Sequence, residues 1–498
     1  MKINHPPSIC IIGAGMSGML MAIKLMNAGY EDFTVFEKAS SVGGTWRENR
    51  YPGVACDVAS FAYCYEFEPN PNWSRRFSEG PEIRRYFEGV AEKYHLERFI
   101  QFNTEIQKAE FINGRWQLTT ANGTLYEFDI LIGATGPLNQ KKYPEIPGLD
   151  SFEGACFHTA DWDDDYDYHG KKIALIGTGS SAVQSVGPLA EAAEKLTVFQ
   201  RTPQWIMPTP NPFYSQFEIW LKNKVPLLGY LTRRFYDWVG EQFGRAALKD
   251  GWRRKLVEKA CANNLKTVKD EVLREKLRPD HIAMCKRMIV SETYYPAIQR
   301  ENVELITEAI DCITADGVKT KDGKEHSLDL LVLGTGFYPN AWGIKEMVGL
   351  NGINLNDLWK QGTRTYKSIT MPEFPNFFML IGPNSPITNL SLIDIADIGC
   401  DYVLQCIEKI HHSDIQHITP KTNVTKSFTT DLEDAFEGTV WVTGCNSWYL
   451  DQDGIPATWP WAPSVFRTML KNLDLNDYDV VNEAELAKEK VTDQSVLA

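Results

Sequence analysis

At 498 residues, with 43% hydrophobic and 12% aromatic content, the chain is long enough for about three packed lobes and reads as globular. Its formal charge of −14 gives no general electrostatic drive toward nucleic acid or an anionic membrane, so neither partner is expected. Ten cysteines are scattered without CxxC spacing or a histidine cluster, which predicts neither a disulfide framework nor a metal site, but inert thiols in a reducing cytoplasm. The apolar run from Ile9 to Ile23 is about five residues short of a membrane span and contains three glycines, which fits a buried strand entering a helix.

In chain order, Ser8 to Ile12 is a short apolar run followed by Gly13-Ala14-Gly15-Met16-Ser17-Gly18 and a helical stretch to about Ala28. This is the strand, tight turn and helix of a Rossmann-like unit, in which Gly13, Gly15 and Gly18 let a pyrophosphate approach the backbone at the helix N-terminus. Thr34-Val35-Phe36-Glu37 adds a second strand ending in an acid at the distance expected for a ribose 2′-hydroxyl acceptor. The pattern recurs where Ile173 to Ile176 leads into Gly177-Thr178-Gly179-Ser180-Ser181-Ala182, with alanine as an allowed variant at the third position. After its helix, Thr197-Val198-Phe199-Gln200-Arg201-Thr202 can be laid against Thr34-Val35-Phe36-Glu37-Lys38. The acid has become Gln200, followed by Arg201. Losing a carboxylate removes both a ribose acceptor and its repulsion of a 2′-phosphate, and the guanidinium offers that phosphate bidentate donors. The first site therefore suits a dinucleotide with a free ribose 2′-hydroxyl, and the second NADP(H).

A further echo pairs Asp129 to Gly136 (DILIGATG) with Asp329 to Phe337 (DLLVLGTGF), two apolar strands that each close on a glycine-flanked threonine. The expected architecture is α/β, with two Rossmann-like dinucleotide-binding domains. The first dinucleotide domain occupies 1–145, is interrupted by an NADP domain at 146–335, and resumes at 336–498. Within the second domain, about 211–280 reads as a helical insertion carrying Phe217, Trp220, Leu221, Phe235, Trp238 and Phe243 among many lysines and arginines. A basic aromatic helix can meet a membrane surface, but the stripe reads here as a subdomain core that helps shape the substrate entrance.

Two longer patterns remain. One is Gly43-Gly44-Thr45-Trp46 with Tyr51-Pro52-Gly53 and Asp57; the other is Phe152-x-Gly154-x-x-x-His158-x-x-x-Trp162-Asp163, between the two glycine loops. They resemble the motifs of the flavin-dependent Baeyer-Villiger monooxygenases, the class B flavoprotein monooxygenases, and the likeness covers nearly the whole chain. It implies that Gly44, Thr45, Trp46, Asp57 and Tyr63 lie at or near the flavin. Thr178, Ser180, Ser181, Arg201 and Thr202 fall to the NADP site with Gly177 and Gly179. Cys285-Lys286-Arg287, followed by Tyr294-Tyr295 and Asn302-Val303, resembles the family block in which the arginine sits over the flavin and the lysine assists the 2′-phosphate; Met284 and Met288 depart from its common versions. Gly382-Pro383-Asn384-Ser385-Pro386 with Asn389 resembles a flavin-side loop. Asn446-Ser447-Trp448-Tyr449 resembles a mobile loop whose tryptophan contacts NADP. The last twenty residues are polar and acid-rich and read as a terminal helix or tail.

No stretch of membrane-spanning length and the scattered cysteines point to a soluble, cytoplasmic protein, and the resemblance implies an enzyme in which NADPH reduces FAD and O2 forms a C4a-peroxyflavin that attacks a ketone, giving an ester or lactone. Arg287 would stabilise the oxygen anions, Asp57 would orient Arg287, and His158 and Trp162 would couple the lobes. A flavin-containing N- or S-monooxygenase is the nearest alternative, and such relatives lack the Trp-Asp ending. A flavin disulfide reductase or a redox-sensing binding protein is more distant, since Cys56 and Cys64 have the wrong spacing for a redox pair. Spacing ranks neither linear, cyclic nor aryl ketones, and it sets no oligomeric state.

Overall fold

Two five-stranded parallel sheets repeat one another in the computed structural model, which describes residues 5–338, 343–360, 362–388, 390–413, 415–445, 447, 449–450 and 454–482. The first runs in the order Phe377–Met379, Ile130–Gly133, Ile9–Ile12, Phe33–Phe36, Ile100–Gln101. The second runs Val303–Ile306, Lys195–Phe199, Lys172–Ile176, Leu330–Leu333, Ala155–His158. Their central strands are almost wholly buried apolar runs, as expected of parallel sheets covered on both faces.

The sequence echoes are structural equivalences. Asp129 accepts from the Ser8 amide at 2.8 Å, and Asp329 accepts from the Lys172 amide at 2.7 Å. The Gly13 amide donates to Phe36 O and the Gly177 amide to Phe199 O, so each glycine loop is tied to the end of the neighbouring strand. Gly13 and Gly177 both have positive φ, and a Cβ on either would lie within 2.6 Å of a carbonyl oxygen, of Ala134 and Gly334 respectively. Only glycine admits that approach.

Smaller elements are built onto each sheet. The first carries the antiparallel strands Ile106–Ile112, Arg115–Thr120 and Leu125–Phe128, and the second carries Ile310–Thr314, Gly317–Thr320 and Glu325–Ser327. The chain passes between the two sheets twice, and the two passages pair: Lys141 bridges Phe337, and Lys142 N donates to Gly336 O at 2.9 Å. His158 secures this crossing. Its Nδ1 accepts from Ala160 N at 3.1 Å, which leaves Nε2 to donate to Gly336 O at 3.1 Å. Burial lowers its pKa, consistent with this neutral form. The stretch 152–163, whose His158 and Trp162 are expected to couple the lobes, is in part the edge strand Ala155–His158 of the second sheet.

Three expectations need correction or limits. The 211–280 insertion is helical, over Gln216–Lys224, Pro226–Leu248, Trp252–Leu265 and Glu271–Lys276, but its aromatic stripe is not a core. Phe217, Trp220, Phe235 and Trp238 are exposed, with only Leu221 and Phe243 partly covered, because the inner face of the long helix is small or polar at Arg233, Gly244, Ala246 and Ala247. The cysteines are not all inert thiols: Cys285 and Cys445 form a disulfide with Cα atoms 6.2 Å apart. Their 160-residue separation gives no spacing signal, and only the tertiary fold brings them together. Trp448, Asn389 and residues 483–498 lie outside the described residues, while the start of the last twenty residues is neither helix nor tail but part of the strand Tyr478–Asn482, paired with Ile415–Pro420. No helix among the described residues is long and apolar enough to cross a membrane.

Candidate active site

The helix Met16–Asn27 begins at Gly15 with neither a side-chain cap nor an acid in its first turn, so its leading amides are presented to an anion. Gly44 faces Gly15 so closely that a Cβ there would lie 3.0 Å from Gly15 Cα. Gly18 packs against Gly13, where a Cβ would overlap the Gly13 carbonyl oxygen. Glu37 is buried beside this loop, its carboxylate accepting from Ala14 N at 2.9 Å and Ala39 N at 3.0 Å. The glycine-lined cradle, free amides and strand-end acid fit a flavin dinucleotide.

Gly44 and Thr45 start the short helix that carries Trp46. Trp46 Nε1 donates to Tyr63 OH at 3.1 Å, and the rings meet edge to face. Tyr63 lies in the electrostatic field of Cys56, Asp57 and Arg287, and its hydroxyl is pushed far above its ordinary pKa, chiefly by burial. The centre of this group is a forked ion pair. Arg287 donates to Asp57 through Nε at 2.9 Å and through Nη2 at 2.8 and 2.7 Å. The guanidinium is about a third exposed and the carboxylate about a fifth. Asp57 foremost, together with the Tyr449 hydroxyl oxygen that accepts a hydrogen bond from the guanidinium, raises the Arg287 pKa further, so it is charged at every working pH. Tyr449 itself is pushed up to about 12 by burial.

The second glycine loop opens the helix Ser180–Ala192, which is likewise uncapped and without a first-turn acid. A Cβ on Gly179 would meet nothing within 4 Å, so that side of the loop is open. Thr178 Oγ1 donates to Thr202 O at 2.7 Å, fixing the loop to the strand end that carries the exposed Arg201. Lys286 shares this region, its pKa lowered by burial and also by the neighbouring Arg201 charge, although Asp280 opposes the shift. Two cations held in one field, with the strand-end acid absent, suit a phosphate monoester. Gln200 is buried and turned away, its Nε2 donating to Lys276 O at 2.7 Å, so it leaves the ligand side to Arg201.

Sequence reasoning missed what joins the two sites. Tyr51 OH hydrogen-bonds Gln184 Oε1 at 2.7 Å and also meets Ser181 of the second loop. Gln184 Nε2 donates to Ala55 O at 2.9 Å. The segment ending in Asp57 is thus docked on the second nucleotide helix. Arg50 donates to Trp162 O at 3.1 Å and pairs with Asp164, which ties Trp162 to the same segment. Trp162 is buried against Phe157 and Tyr168, while Asp163 accepts from Asp165 N in an exposed turn. Gln184 sits one helical turn after Ser180, an unremarkable place for a polar helix residue, so nothing in the spacing marked it. The disulfide completes the arrangement by joining the residue before Lys286-Arg287 to the residue that opens the 446–449 segment.

The family model described as FMO-like, flavin-binding monooxygenase-like, matches residues 7–346. A Baeyer-Villiger monooxygenase of Streptomyces coelicolor is 37% identical over 97% of this chain and 94% of its own length. The chain belongs to the flavin-binding monooxygenase-like family, on its Baeyer-Villiger branch. It is a flavoprotein monooxygenase. An uncharacterised monooxygenase of Mycobacterium tuberculosis is more similar in sequence, 44% identical over 95% of this chain and 96% of its own. Among solved structures, OTEMO in complex with FAD and NADP superposes with a TM-score of 0.86 at 28% identity, covering 96% of this chain and 100% of that one.

Proposed function

We propose that this FAD- and NADPH-dependent monooxygenase inserts one oxygen atom of O2 beside a ketone carbonyl, yielding an ester or lactone. The observation that carries the reading is the Arg287–Asp57 fork, held where the Trp46–Tyr63 pair and the second nucleotide helix converge. FAD would be held by Gly13, Gly15, Gly18 and Glu37, with Gly44, Thr45, Trp46 and Tyr63 toward its ring. NADP would be held by Gly177 to Ser181, Arg201, Thr202 and Lys286. When bound, FAD would relay electrons from NADPH to O2, one atom of which enters the product while the other leaves as water.

The chain's own residues then control charge and access. Arg287 stays protonated and offers its charge and the guanidinium N–H groups that Asp57 leaves to negative charge developing on oxygen, first at the oxidant and then at the attacked carbonyl. Asp57 sets the orientation of that fork without neutralising all of it, because it occupies only Nε and Nη2. Tyr51 and Gln184 hold the Asp57 segment against the nicotinamide-binding helix, so reduction and oxygen transfer share one frame. His158 acts as a positioning residue at the paired crossing.

Aerobic incubation of the FAD-loaded protein with NADPH and linear, cyclic and aryl ketones should give an ester that carries one labelled atom when the O2 is isotopic. No ester from any ketone, alongside efficient amine N-oxidation, would overturn the proposal in favour of an N-monooxygenase. The Trp162-Asp163 ending favours the ketone reaction.

A further inference from the structure

We propose that the outer face of the helical insertion docks on an anionic membrane surface. The long helix Pro226–Leu248 is anchored from within: Arg233 donates to Cys64 O at 2.8 Å and to Asp394 at 2.7 Å. Its opposite face carries Leu227, Leu231, Phe235 and Trp238, each more than half exposed. Their spacing places them on one stripe. Phe217 and Trp220 extend the patch from the preceding helix Gln216–Lys224, stacked on each other with centroids 5.9 Å apart. Single exposed apolar residues are ordinary, but six on two successive helices, including the stacked pairs Phe217–Trp220 and Phe235–Trp238, mark an interaction surface.

Charge selects the occupant. Residues 211–280 contain fifteen lysines and arginines against nine aspartates and glutamates, a local charge of +6 within a chain of −14. Lys224, Lys249 and Lys255 are exposed on or at the ends of the insertion's helices, while the exposed Arg234 is paired with Glu66 and Asp237 and Arg245 with Glu241. A second copy applied across a two-fold axis would set this positive face against itself. Phosphate headgroups complement it, and tryptophan and phenylalanine beside basic residues suit the headgroup boundary. Because no described helix can span a bilayer, the face would lie on the membrane rather than cross it. The overall negative charge conceals this segregation. The proposal stands apart from the ketone reading.

The test is flotation of the FAD-loaded full-length protein with phosphatidylcholine vesicles and with vesicles in which roughly a third of the lipid is phosphatidylglycerol. The expected result is flotation with the anionic vesicles, weakened by high salt, and reduced ~10-fold or more in the Phe235→Ser/Trp238→Ser double variant. NADPH oxidation without vesicles should be unchanged, because both side chains face away from the site. Absence of the wild type from the anionic vesicle fraction would overturn the proposal, as would equal flotation of wild type and variant. Sedimentation showing a wild-type dimer that the same variant converts to monomer would assign the face to a second copy instead.

Discussion

Replacing Asp57 with asparagine tests the core of the proposed chemistry. The carboxylate receives Nε and Nη2 of Arg287 at 2.7–2.9 Å. Asparagine keeps one acceptor oxygen but points an amide donor at the guanidinium where the second oxygen stood. A hydrogen bond to a charged group contributes about 1.5–3 kcal/mol net. The contacts share one ion pair and the guanidinium is a third exposed, so water recovers part of the loss and ~2–3 kcal/mol is expected in total. If that free energy holds Arg287 in its reactive orientation, oxygen transfer should slow ~30- to 150-fold. NADPH oxidation should fall less, because the Arg201 and Lys286 site is untouched, and the difference should emerge as hydrogen peroxide. The assay compares NADPH consumed, peroxide released and ester formed. Arg287→Lys, which keeps the charge but loses the fork, should show the same uncoupling. Wild-type coupling in Asp57→Asn would refute the orienting role and leave the pair a structural contact.

Arg201→Ala and Lys286→Ala should each raise the KM for NADPH ~10-fold or more while leaving NADH use nearly unchanged, read from steady-state oxidation of the two cofactors; equal losses with both would show that neither cation meets the 2′-phosphate. His417 is buried against Phe111 with its Nδ1 unpartnered, and burial lowers its pKa to about 4. The unfolded chain takes up this proton first, so the stability it contributes is complete above about pH 6.5 and declines as pH falls toward 4, by ~3 kcal/mol. Urea unfolding across that range should show the decline, and His417→Phe should flatten it. Cys445→Ser opens the loop closed by the disulfide and should cost up to ~5 kcal/mol in chemical denaturation. A dithiol reductant should destabilise the wild type but not this variant, and a wild type indifferent to reduction would contradict the bond's contribution.

The sequence by itself determined both nucleotide units. Their strands are continuous apolar runs, their loops need glycine where another carbonyl passes within contact distance, and the exchange of Glu37 for Gln200-Arg201 is a change of side-chain chemistry at a fixed register. Such constraints are local, so they leave a local trace. Asp57 and Arg287 were nameable individually through the resemblance, but their fork joins residues 230 positions apart. The bridge through Gln184, the tie from Arg50 to Trp162 and the Cys285–Cys445 bond are likewise products of docking one lobe on the other. The insertion shows the same division: its periodicity prescribed amphipathic helices, but periodicity cannot say which of two faces turns inward. Tertiary packing decided that, because Arg233 reaches a buried carboxylate and a backbone carbonyl on the inner side, which leaves the aromatic stripe to solvent.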